Sequence, residues 1–296
     1  MDSALCGLSN FPRSAARIHL KSSGRFFPGS AFVLLGFFLG ACMAAGPVQA
    51  QPATLQQAYA ERVVQQLAVP ADELARYDAL LEAALAAAGV DSLEPQYIAL
   101  VDRNPQVQSI LILWRTAGRP SLLIGASPVS TGKVGRNNHF ETPLGVFLHG
   151  PANPDYRALG TRNELGFRGY GSKGMRIYDL GWQQARRGWG KGGTSTMRLQ
   201  MHATDTDLAQ PLLGTVRSEG CIRIPASLNR LLDLFGVLDA EYEVDGIPAA
   251  AARVLDPART PVQQAGRYIV VVDSLRGERP AWAPSPLPLP LPSSVR

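Results

Sequence analysis

Residues 96–125 carry three apolar runs that are too short for helices and too closely spaced for anything but a sheet. They cover 97–101 (Tyr-Ile-Ala-Leu-Val), 109–114 (Ser-Ile-Leu-Ile-Leu-Trp) and 121–125 (Ser-Leu-Leu-Ile-Gly). Gly118, Pro120 and an intervening Asn and Pro cut them apart. Leucine and β-branched runs between such breakers predict an antiparallel sheet. Further strands are expected at 175–180, 197–202, 241–244 and 268–272. One compact helix is expected at 226–235, with Leu228, Leu231, Leu232 and Phe235 on its apolar face and Gly236 ending it. Ahead of the sheet, residues 54–88 have helical periodicity. Pro70 suits the first turn of a second helix and Gly89 its C-terminal cap, so a helical hairpin is expected there. Its packing stripe is Leu74, Tyr77, Leu80, Leu81 and Leu85. The fold class is therefore mainly β with short helices, preceded by a small α-helical N-terminal region.

The two ends of the chain read differently from the middle. Arg13, Arg17, Lys21 and Arg25 lead into an apolar stretch at 31–45 that is short for a membrane span, the pattern of an export signal. Two readings of its exit stay open. Val48-Gln49-Ala50 fits signal cleavage with Gln51 as the new N-terminus, whereas Leu39-Gly40-Ala41-Cys42 resembles a lipobox that would put a lipid, and so a membrane attachment, on Cys42. Without this segment the formal charge falls from +5 to about +2, which argues against nucleic acid as a partner. At the other end, the alternation of Pro and Leu from Pro286 to Pro292 favours extended polyproline II and builds no core. The expected divisions are 1–50 signal, 51–95 helical hairpin, 96–245 main domain, 246–279 extension and 280–296 proline-rich tail.

Cysteine usage points to chemistry. Cys6 and Cys42 lie in the signal, which leaves Cys221 as the sole thiol of the body, in a compartment where lone thiols are prone to oxidation. It sits in Ser218-Glu219-Gly220-Cys221-Ile222-Arg223, downstream of a strand pattern closed by His202. A thiol needs a base or nearby positive charge to become a nucleophile. His202 is the candidate base, and Gly220 and Cys221 offer amides for an oxyanion hole. Arg223 and the start of the following helix would lower the thiol pKa, and Ser218 is a candidate contact to substrate or to the loop. A buried structural cysteine and a core histidine are the bland alternatives, since spatial adjacency is not visible in sequence. Residues 160–193 are rich in Gly, Arg and aromatics. Gly169-Tyr170-Gly171-Ser172-Lys173-Gly174 formally matches a dinucleotide fingerprint, but no helix pattern follows, so the segment reads as a mobile loop over a substrate groove. His139, His149 and His202 lack ligand-like spacing, so no metal and no cofactor are expected.

The block from His202 to Arg223 resembles the signature of the bacterial L,D-transpeptidases (the YkuD-like domain): His, a loop, then Ser/Thr-His-Gly-Cys, an apolar residue and Arg or Asn. A second block, Ser130-Thr131-Gly132-Lys133 with Thr142-Pro143-Leu144-Gly145-Val146-Phe147, is similar to the same family's upstream strands. The resemblance spans roughly residues 96–244. It implies a β-sandwich or mixed sheet acting on peptidoglycan stem peptides outside the cytoplasmic membrane. His202 would be the base and Cys221 the nucleophile of a thioester intermediate. Resolution by a stem amine would give a 3→3 cross-link, by water a carboxypeptidase, by a protein lysine wall attachment. One position departs from the pattern: the family's histidine before Gly-Cys is Glu219 here, an acid beside the thiol. A wall-binding module without catalysis and a secreted thiol hydrolase of other specificity are the rival readings.

Overall fold

A computed structural model describes residues 52–90, 93–164 and 166–285. The expected export signal with Cys42, and residues 286–296 of the proline tract, lie outside the described residues. The strands are β1 (Gln96–Asp102), β2 (Ser109–Arg115), β3 (Leu122–Pro128), β4 (Gly145–Leu148), β5 (Tyr156–Arg157), β6 (Arg176–Arg186), β7 (Thr194–Ala203), β8 (Ile222–Ile224) and β9 (Tyr268–Val272). Four helices accompany them: α1 (Pro52–Arg62), α2 (Ala71–Ala87), α3 (Ala226–Leu234) and α4 (Ala249–Ala252). The protein is thus mainly β with short helices.

The strands form two sheets, ordered β3-β2-β1-β9-β4 and β5-β6-β7-β8. The three runs at 97–101, 109–114 and 121–125 pair antiparallel as expected, and each sheet adds one parallel pair, β1 with β9 and β7 with β8, so both sheets are mixed. The reason is long-range. β9 enters the five-stranded sheet between β1 and β4, more than a hundred residues after either, so the segment at 246–279 supplies a central strand and is no appendage.

The lack of alternation in β1, β2 and β9 has a direct cause: both faces of these strands are covered. Ala99, Val101, Ile110, Ile112, Ile269 and Val271 face an inner core shared with Leu199, Met201, Ile222 and Ile224 of the second sheet. Ile98, Leu100, Leu111, Leu113, Val270 and Val272 face outward and are capped by Tyr77, Leu81 and Leu85 of α2. α1 instead sends Leu55, Ala58 and Tyr59 into the inner core beside β3 and α3. The expected helical hairpin is therefore corrected. Its helices pack on opposite faces of one sheet, because each apolar stripe finds more apolar area on the sheet than on a short neighbouring helix. Pro70 is the N-cap of α2 instead of a first-turn residue, and Gly89 does close that helix at φ +67°.

Two other expectations change. Residues 241–244 form no strand. A 3₁₀ turn at Ala240–Tyr242 buries Tyr242, whose hydroxyl accepts the Asp155 amide at 2.9 Å. Residues 280–285 are also not a free spacer, since Trp282 packs edge-on against Tyr77 with ring centroids 5.8 Å apart.

A charged network lies inside this apolar frame. Arg176, fully buried, pairs with Asp155 at 2.7 Å and with Asp239 at 2.8 Å. Asp155 also holds His149 Nε2 at 2.9 Å and accepts the Asp179 amide, while His149 Nδ1 donates to the Leu238 carbonyl. Asn229 of α3 clasps the Arg176 backbone through both its amide and its carbonyl. The network ties the start of β6 to α3, one residue from the point where Ile177 pairs with His202.

Candidate active site

Two stretches distant in sequence converge on the segment that carries the thiol. Ser130 and Arg223 exchange backbone hydrogen bonds at 2.9 and 3.0 Å. The Ser218 amide donates to the Thr131 carbonyl, the Lys133 amide donates to the Ser218 carbonyl, and the Phe140 amide donates to the Glu219 carbonyl. The Thr142 hydroxyl accepts the Gly132 amide at 2.9 Å and donates to the Gly220 carbonyl at 2.7 Å. Gly132 is required by this closeness, because a Cβ there would stand 2.0 Å from the Phe140 carbonyl. Gly220 is required twice over: its φ of +136° excludes other residues, and a Cβ would strike Met197.

Ser218 is internal to this turn. It is buried, its hydroxyl donates to the Cys221 carbonyl at 2.5 Å, and it accepts the Gly220 amide at 3.1 Å. Of the two roles expected for it, these bonds show the contact to the loop. The same bond engages the Gly220 amide that was a candidate oxyanion donor.

Successive side chains of β7 leave its two faces in turn, although its last four residues, Gln200 to Ala203, are all buried. Leu199 and Met201 enter the core, while Arg198, Gln200 and His202 point to the other face. In the parallel pairing with β8, His202 sits opposite Arg223 and Met201 opposite the core residue Ile222, which brings Cys221, Arg223 and His202 to one face. A two-residue stagger across adjacent strands separates the Cys221 and His202 Cα atoms by roughly 8 Å, a span that a thiol and an imidazole can close by rotation. In the resting geometry no hydrogen bond joins them. The thiol lies along β7 with Sγ 3.7 Å from the Arg198 carbonyl. His202 Nδ1 is 2.7 Å from the Ala203 carbonyl, an acceptor only, so Nδ1 carries the proton and Nε2 presents its lone pair.

Both members of the pair rest neutral near pH 7. Burial, with a smaller push from Arg223, lowers the His202 pKa to about 4 against the support of the Ala203 carbonyl. Burial raises the Cys221 thiol to about 11. The Gln200 amide and Arg223 pull it down, and Glu219 and Asp179 push it up. The expected acidification by Arg223 is thus present but outweighed: desolvation of a thiolate costs more than one partly buried cation returns. Alkylation of Cys221 by iodoacetamide, with Cys6 and Cys42 replaced by serine, is accordingly expected to accelerate about tenfold per pH unit between about pH 7 and 10. A plateau below about pH 8 would instead reveal a preformed thiolate.

Neighbours that the sequence did not single out complete the site. Tyr170, from the glycine-rich loop, stands edge-on to the His202 ring with centroids 4.7 Å apart. Burial is the first cause of its raised pKa, with Tyr156, Cys221 and Glu219 adding to it, which places its hydroxyl among those groups. Gln200 bridges Tyr156 and Asp179 at 2.9 Å each, and Asp179 also holds Arg198. The signals available were an aromatic flanked by two glycines and the polar half of the Met-Arg-Leu-Gln-Met-His alternation. The loop expected over 160–193 is interrupted by the long strand β6, Arg176–Arg186, which leaves one loop before it and a short turn at 187–193 after it. A strand, not a helix, follows Gly174.

The loop divides the face into two cavities, with Asn163, Phe167 and Gly169 lining both. One, of about 530 Å³, lies toward β5 against Tyr156, Tyr170 and Ile177. The other, of about 310 Å³, reaches Glu219 and Arg223. Among the described residues no helix is long and apolar enough to cross a membrane.

No family model matches this chain, and no curated protein matches it. Solved structures similar to parts of it include Bd1075 of Bdellovibrio bacteriovorus, at 15% identity and a TM-score of 0.30, over 61% of this chain and 48% of that one. A second is a fused Zn-dependent amidase/peptidase/peptidoglycan-binding domain-containing protein from Clostridium acetobutylicum, at 11% identity and a TM-score of 0.27, over 71% of this chain and 66% of that one. The chain therefore spans about half the length of the first, and neither overlap is extensive enough to define a shared fold.

Proposed function

We propose that this protein is an exported cysteine-dependent acyltransferase of the L,D-transpeptidase type, acting on peptidoglycan stem peptides through a thioester on Cys221. One observation carries the reading. The two sequence blocks that resemble that family, far apart in the chain, hydrogen-bond to one another around Cys221, with His202 on the same face and its Nδ1 tied to a carbonyl. The chemistry follows from the neutral pair. As substrate enters, Sγ leaves the Arg198 carbonyl and passes its proton to His202 Nε2. The sulfur attacks the carbonyl carbon between the third stem residue and the terminal D-alanine. The C–N bond breaks, and the imidazolium returns the proton to the departing amine. An incoming amine then attacks the thioester, loses a proton to His202, and releases the thiol. Water or a protein lysine in that place gives hydrolysis or anchoring.

A second reading, a wall-binding module without catalysis, is favoured by the thiol's raised pKa and by its hydrogen bond away from the base. Mass spectrometry of the protein incubated with disaccharide-tetrapeptide, beside Cys221→Ala, decides between them. The expected product is a dimer lighter than two monomers by one D-alanine, absent with the alanine variant. Tripeptide alone would make water the acceptor. Unchanged substrate, with Cys221 also inert to a carbapenem, would leave the binding module.

A further inference from the structure

The smaller of the two cavities, about 310 Å³ beside Glu219, is lined by five cationic side chains: Lys133, Arg136, Arg168, Arg217 and Arg223. Two carboxylates face them, Asp205 and Glu219. Asp205 is already committed, accepting the amides of Arg168, Asp207 and Leu208 and pairing with the Arg168 guanidinium. Lys133, Arg136, Arg217 and Arg223 have no carboxylate within salt-bridge distance among the described residues, whereas Arg168 on the same wall pairs with Asp205 and Asp207. Two nitrogens at the cavity, Arg223 Nε and His139 Nδ1, are buried and lack any hydrogen-bond partner. Concentrating like charge in a pocket and leaving a guanidinium N–H unmatched is unfavourable unless an anion arrives to satisfy them.

The position of the cavity is as informative as its charge. Arg223 is paired across the sheet with His202 and lies two residues beyond Cys221, so an anion held here is fixed relative to the reacting thiol. The rim cations, Lys133 and Arg136, come from the segment whose backbone grips Ser218, so rim and nucleophile belong to one hydrogen-bonded unit.

We infer that this cavity is a carboxylate-binding subsite, in which Lys133, Arg136, Arg217 and Arg223 receive an anionic side group of the peptide whose backbone lies across Cys221. The inference rests on the proposed stem-peptide chemistry for the identity of that peptide. Such a subsite sets substrate choice: a stem with free carboxylates is gripped on the Arg223 side of the nucleophile, and an amidated stem is not. Charge-assisted hydrogen bonds to a carboxylate are the stronger kind, and Arg offers the forked geometry for them.

The test compares a disaccharide-tetrapeptide bearing free carboxylates with the same compound amidated at those groups. Binding is measured by calorimetry to the full chain carrying Cys221→Ala, which prevents turnover. The rim variant Lys133→Gln/Arg136→Gln is then measured in the same background. Both side chains are exposed and unpaired, so the fold tolerates the change. The free-carboxylate form is expected to bind on the order of tenfold more tightly, with the preference shrinking in high salt and in the rim variant. Equal binding of the two forms, or a preference that the rim variant leaves untouched, overturns the subsite while the stem-peptide reading stands. Binding of neither form overturns both.

Discussion

Arg176→Met is expected to cost the fold roughly 3–5 kcal/mol, the range for breaking a buried ion pair from one side. Methionine fills much of the same volume, so packing is not the cause. The cause is what stays behind. Asp155 and Asp239 are fully buried, and Arg176 is the cation they share. Asp155 would keep His149, whose own charge burial opposes and Asp155 sustains, leaving its pKa raised. Asp239 would keep only Arg259, 3.6 Å away. The midpoint of urea unfolding should therefore fall sharply with little change in slope. Arg176→Met/Asp239→Leu should recover part of the loss, because the uncompensated charge has gone. A single-variant loss below about 1 kcal/mol would mean that water or the remaining cations neutralise the site, and that the network does not hold β6 in place.

His202→Gln is expected to slow acylation of Cys221 by about 10²- to 10⁴-fold at neutral pH, the usual weight of a positioned base. The two pKa values give the reason. A thiol at about 11 carries almost no thiolate at pH 7, so the sulfur depends on a base that takes its proton as the bond forms. His202, at about 4, is neutral and ready across the whole range above that. Glutamine keeps the size and a polar tip but accepts no proton. The discriminating readout is the pH profile. The ratio of wild-type to variant rates should shrink as pH rises toward about 11, where the thiolate forms unaided. A ratio constant in pH would make His202 a structural residue, and its Nδ1 bond to Ala203 merely a strand-end contact.

Most of the mainly β character was legible from residues 97–101, 109–114 and 268–272, because apolar runs of that length between breakers have few other solutions. The helix at α3 was legible from its four apolar positions and Gly236. Residues 241–244 misled, since a short stretch with one buried aromatic looks the same whether Tyr242 lies in a sheet or is pinned by Asp155. Tyr170 was hidden because nothing local to a glycine-rich loop says which ring it covers. Arg176 and Asp155 were hidden because isolated charges in sequence read as surface.

The sequence by itself determined the candidate chemistry, a single thiol in the chain body with a histidine upstream, and the alternation that puts His202 on the polar face of its strand. Those are properties of residue type and of the two-residue period of a strand, which need no partner. Only the tertiary structure decided that β9 lies between β1 and β4, that the N-terminal helices take opposite faces of that sheet, and that Thr142 and Ser130 brace the cysteine turn. It also decided that burial overrides Arg223 in setting the thiol's acidity. Each of these depends on contacts between residues far apart in the chain, and on a local dielectric that exists only once the core has closed around them.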